Sequence, residues 1–136
     1  MIRGSKFGLT GGIARCIVVV ALVAACSDDN ALDPARECFG PLALTVVSGT
    51  PPQFTWTAPC AVARLAVFEV PSVGASQLAW DVRSDPPRIL SPVRYGERPG
   101  GATEAQAPAA LRPGGTYQVR VYNAAEVAVG SASFVP

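Results

Sequence analysis

Residues 38–136 predict an all-β fold, an antiparallel β-sandwich of about seven strands, preceded by an export segment and a tether. Three observations lead there. Six short stretches alternate apolar and polar residues or run β-branched and aromatic, as half-buried strands do. The 136 residues include 13 Gly and 13 Pro, which suits many short strands joined by tight turns better than a helical protein. No stretch of this region sustains a 3.6-residue apolar period, and "TEAQAPAAL" (103–111) is interrupted by Pro108.

In chain order the expected strands are "LALTVVS" (42–48), "QFTWTA" (53–58), "ARLAVFEV" (63–70), "QLAWDVRS" (77–84), "TYQVRVYN" (116–123) and "EVAVGSASFV" (126–135). Between them stand "SGTPP", "APC", "PSVGAS", "DPP" and "RPGG", all turn-forming. Alternation places Leu78, Trp80 and Val82 on one face, with Ala79, Asp81 and Arg83 on the other. It likewise sets Tyr117, Val119 and Val121 against Gln118, Arg120 and Tyr122. One wet and one dry face per strand means antiparallel sheets stacked on a shared core. That core is expected to include Trp56, Leu65, Val67, Tyr117, Val119 and Val121.

"LRPGGTYQVRV" (111–121) resembles the turn and strand that carry the tyrosine corner in fibronectin type III-like domains of the immunoglobulin-like sandwich class. Trp56 in "FTWTAP" is similar to the buried Trp of that family's second strand, and "ARLAVFEV" to its third. The resemblance covers residues 41–136 and implies a module of binding or spacing. Residues 91–110, "SPVRYGERPGGATEAQAPAA", are longer and less regular than the family pattern, and leave the strand order there open.

The first quarter reads differently. Residues 1–15 hold Arg3, Lys6 and Arg15 and no acid, followed by the apolar run "CIVVVALVAA" (16–25). This is the order of an export signal. Ten residues would span only ~15 Å as a helix, half of a ~30 Å hydrocarbon core. Extension back through "GLTGGIA" would give a marginal membrane span. "VAAC", Val23 to Cys26, resembles the lipobox of bacterial lipoproteins. That resemblance implies a signal peptide over 1–25, cleavage behind Ala25, and diacylglycerol on the sulfur of Cys26. The alternative is a chance Cys at an ordinary cleavage site.

Residues 26–37 then form the lipidated N-terminus and an acidic, turn-rich tether whose eleven residues after Cys26 would reach about 18 Å. The lipoprotein resemblance further implies that Ser27, where Asp would signal retention in the inner membrane, directs the protein to the outer membrane, facing the periplasm or the surface. The membrane is thus an expected partner, through lipid.

Four cysteines are present. With Cys16 in the signal and Cys26 lipidated, Cys38 and Cys60 are left, and an oxidising compartment pairs them. Closing a loop of about 23 residues stabilises by roughly 3.4 kcal/mol.

The net charge of +1 falls to about −2 without residues 1–25, with 8 basic and 10 acidic side chains left. No basic stripe exists for a phosphate backbone, so nucleic acid is not an expected partner. There is no His, which removes the commonest general base and metal ligand. No metal site, cofactor motif or phosphate-binding Gly-rich loop is expected. The acids are scattered, and the tightest pair in the domain, Asp81 and Asp85, is the one opening for a small two-carboxylate hydrolase. The residues favour a non-catalytic module that binds an envelope protein or serves assembly. Glycan binding is the alternative, through large aromatics standing outward: Trp80, Tyr95 and Tyr122. "PVRYGERPGG" would present Arg94, Tyr95 and Arg98 as a binding loop. Against this stands the reading in which Trp80 packs inside and Tyr95 covers a sandwich edge.

Overall fold

The computed structural model describes residues 36–57 and 59–136. The expected signal segment and most of the tether lie outside them. Eight strands follow in order: β1 (Leu44–Val47), β2 (Gln53–Trp56), β3 (Arg64–Glu69), β4 (Gln77–Arg83), β5 (Val93–Arg94), β6 (Thr103–Gln106), β7 (Tyr117–Tyr122) and β8 (Ala128–Phe134). No helix occurs among the described residues. All strand pairings are antiparallel. They form a three-stranded sheet, β1-β2-β5, and a five-stranded sheet, β6-β4-β3-β7-β8. The sheets share one core, so the fold is the β-sandwich that the alternation predicts.

Phe54 and Trp56 reach into the core from β2, facing Leu65, Val67, Trp80, Val82, Val119 and Val121 of the larger sheet. All six residues expected in the core are buried. Phe134 stacks between the sheets, its ring centroid 5.6 Å from those of both Phe54 and Tyr117. The Trp56 indole N–H donates to the Cys60 carbonyl at 3.2 Å, so the large side chain is buried without stranding its polar atom.

The eight strands agree with the expected sandwich of about seven, residues 91–110 adding two to the six that alternation marks. β5 is a two-residue pairing on β2, and β6 is an edge strand on β4 with every residue exposed. β5 buries only Val93 and is too short to mark an alternation, while β6 buries no face at all. One expectation, the face of Leu78, is corrected. A bulge between β3 and β4 pairs Val67 with Trp80 but Phe68 with Leu78, making Ala79 the extra residue. Leu78 therefore joins the outward Phe68, while Trp80 and Val82 remain inside.

Strand directions define two poles. The chain enters at one, where the Arg36 carbonyl accepts from Ala61 N–H and Cys38 N–H donates to the Ala61 carbonyl. The β2–β3 turn, Ser84–Asp85 and the β7–β8 turn gather at this near pole. The far pole holds the β1–β2 turn, the β3–β4 loop, Tyr95–Gly96, residues 107–115 and the end of β8. β4 and β8, of seven residues each, set roughly 23 Å between the poles.

Candidate functional site

A groove of about 610 Å³ opens at the far pole between the β1–β2 turn, the segment after β5 and the connection from β6 to β7. Five prolines line it: Pro51, Pro52, Pro108, Pro113 and Pro136. Proline has no N–H, so these positions offer apolar rings and no backbone donors. Ala109, Ala110 and Leu111 complete an apolar wall, and no charged side chain lines the groove. A second depression of about 440 Å³ adjoins it, sharing Gly49, Thr50, Pro52 and Pro136 and reaching Ser133 and Phe134.

Tyr95 ties the groove together from beneath. Its N–H donates to the Pro52 carbonyl at 3.0 Å, and its hydroxyl to the Ala109 carbonyl at 2.6 Å, with the Ala79 carbonyl 3.3 Å away. Ala109 N–H in turn donates to the Ala79 carbonyl at 2.9 Å. One residue thus fixes two walls, one through its backbone and one through its hydroxyl. Burial, with a smaller contribution from the nearby Tyr117, pushes the phenol up to about 12. Gly96 stands beside it at φ +77°, in the left-handed region that glycine occupies without strain, against the ring of Pro108.

A charged cluster occupies the outer face of the larger sheet near the opposite pole. Asp81, only 1% exposed, accepts from Arg64 Nε at 2.9 Å and Arg64 Nη2 at 3.0 Å. Arg83 reaches the same carboxylate at 3.0 and 3.2 Å, and Arg64 Nη1 donates to Glu126 at 3.0 Å. The Arg64 guanidinium lies over the Tyr122 ring, 4.8 Å from its centroid. Burial works against the Arg64 charge but is outweighed by the hydrogen bonds and attraction of Asp81 and Glu126, so its pKa rises. Both oxygens of this carboxylate are engaged by arginine donors, Oδ1 by one and Oδ2 by three.

The residues singled out from sequence fall in different places. Cys26 lies outside the described residues. Cys38 and Cys60 form a disulfide, with Cα atoms 5.1 Å apart. Arg94 and Arg98 are exposed, and Arg94 is 4.0 Å from Glu97. Tyr95 is not presented between them: it is 7% exposed, because the turn after β5 sends the ring inward. Trp80 is fully buried, edge-on to Tyr95 at 5.3 Å, with its indole N–H on Glu104 at 2.8 Å. Tyr122 is covered by Arg64. The three aromatics offer no coplanar outward platform, which corrects the geometry that glycan stacking required. Asp81 is buried and Asp85 exposed, and no group of three His, Cys, Asp or Glu able to hold a metal occurs among the described residues.

Sequence reasoning missed the groove. Its prolines stand at 51, 52, 108, 113 and 136, and only the fold makes them neighbours. No known protein family, curated protein or solved structure matches the chain.

Proposed function

We propose that this is a bacterial envelope lipoprotein, anchored in the outer membrane through lipid on Cys26. Its fibronectin type III-like sandwich is a non-catalytic module that binds an apolar segment of an envelope protein. The observation that carries the binding role is the donor-poor, proline-lined groove at the pole opposite Cys38. A tether entering at one end leaves the other end turned toward partners. Hydrogen-bonding glycans need several convergent polar groups, of which this lining offers few side chains beyond Thr50 and Tyr95, whereas aliphatic side chains need only volume and dryness. The Tyr117 hydroxyl bonded to the backbone at Arg112, and the inward Trp56, support the type III-like reading.

Two measurements test this proposal. Radiolabelled palmitate should enter the wild-type chain and not Cys26→Ala, and equal labelling of both would refute the anchor. Cross-linking in intact envelopes should yield a defined protein adduct that Ala110→Glu abolishes, since Ala110 is exposed in the groove. An adduct indifferent to that charge would remove the groove from the binding role.

A further inference from the structure

The near pole carries two large apolar side chains in water. Phe39 is 71% exposed and Val127 56% exposed. The segments that bear them run side by side. The Glu37 carboxylate accepts from Ala124 N–H at one end, and Leu42 N–H donates to the Val129 carbonyl at 2.6 Å at the other. Phe39 lies between these two ties, along the turn that holds Val127. The turn itself is fixed: Asn123 N–H donates to the Val127 carbonyl at 3.1 Å, and its side chain accepts from Val127 N–H at 3.0 Å. Isolated exposed hydrophobic residues are ordinary. Here the pair stands on a rigid rim where the N-terminal chain enters.

We infer that Phe39 and Val127 form a membrane-contact surface that docks the near pole on the bilayer and holds the proline groove outward. The inference rests on the lipid anchor at Cys26. Cys26 and Phe39 are thirteen residue steps apart, a length that averages about 20 Å in a free chain and reaches at most about 45 Å. Any surface at this pole is therefore kept close to the headgroups, at an effective concentration on the order of millimolar. Two apolar side chains would bind a bilayer weakly from free solution. At that concentration a weak contact is populated, because the anchor has already removed the cost of the encounter. A protein partner would have to enter the narrow space between the near pole and the bilayer, whereas the membrane is already there.

The test uses the full lipidated chain in vesicles of phosphatidylethanolamine and phosphatidylglycerol containing nitroxide-labelled lipid. Phe39→Trp places an indole at the surface. The native Trp56 and Trp80 are 5% and 0% exposed and contribute a shielded background. Docking buries the new indole at the headgroup boundary, so nitroxide should reduce its emission at least about twofold. Adding Val127→Glu should abolish that reduction while the protein still floats with the vesicles. Flotation with an indole open only to aqueous iodide overturns the docking surface alone. Quenching that survives Val127→Glu removes Val127 from it. Loss of flotation, with no acyl mass on Cys26, overturns the anchor and the docking together.

Discussion

The hydroxyl of Tyr117 accepts a 2.9 Å hydrogen bond from the backbone N–H of Arg112, five residues earlier. Gly115 N–H closes the same turn on the Arg112 carbonyl at 2.9 Å, and the Arg112 side chain pairs with Glu69 of β3. The Tyr117 ring is 1% exposed and stacked on Phe134. The connection from β6 to β7 is thereby fastened to the core, and with it one wall of the groove.

Tyr117→Phe keeps the ring and removes the acceptor for one backbone N–H. The expected cost is about 1–2 kcal/mol in urea unfolding, with faster hydrogen exchange at the Arg112 amide. An unchanged midpoint together with unchanged exchange would show that the bond contributes nothing.

Asp81 balances two arginines, and Asp81→Asn leaves the part-buried Arg64 and the exposed Arg83 without that charge. Unfolding should be easier by about 3 kcal/mol. Glu126, 54% exposed in its side chain, should matter far less, and Glu126→Gln should cost below about 1 kcal/mol. Equal effects from the two variants would contradict the assignment of Asp81 as the centre of the cluster.

Cys38→Ser with Cys60→Ser should lower stability by about 3 kcal/mol, since the bridge restricts the unfolded chain across 22 positions. Calorimetry of the double variant beside the oxidised protein reads this directly. Stability within about 0.5 kcal/mol of the parent would mean that the unfolded chain is already restricted there.

Tyr95 gives the protein a dependence on alkaline pH. The folded phenol titrates at about 12 against an ordinary value of 10.0, so above pH 10 the unfolded chain loses this proton first. The contribution is fully present below pH 10 and is lost as pH rises toward 12, with a total on the order of 2–3 kcal/mol. Tyr95→Phe, which cannot ionise, should lose less stability than wild type between pH 9 and 11. Parallel stability curves would show that Tyr95 does not carry this dependence.

The legible part of the fold was the part that alternates. β3 and β7 bury every second residue against the core, so alternation alone assigns Leu65, Val67, Val119 and Val121 to a face. Leu78 escapes it, because a bulge depends on how β3 and β4 pair and leaves no mark in β4 alone. β6 failed for a different reason: an edge strand with no buried face follows hydrogen bonding, to which side-chain patterns are blind. The Cys38–Cys60 pairing was accessible by elimination. The groove was not, since its prolines are ordinary turn residues until three separate connections meet at one pole. Tyr95 misled in the same way. Flanked by arginines it resembled a displayed ring, yet its partners Pro52, Ala79 and Ala109 are distant in sequence.

The disulfide also determines how the domain bears force. A pull on the chain N-terminal to the domain enters at Cys38 and passes through sulfur to Cys60, leaving β1 and β2 inside a covalent loop that carries no tension. The load falls first on β3, which is paired on both edges by β4 and β7. When the oxidised domain is stretched between its ends, the loop withholds 22 residue steps, about 75 Å of contour length. Only reduction of the bridge releases that length.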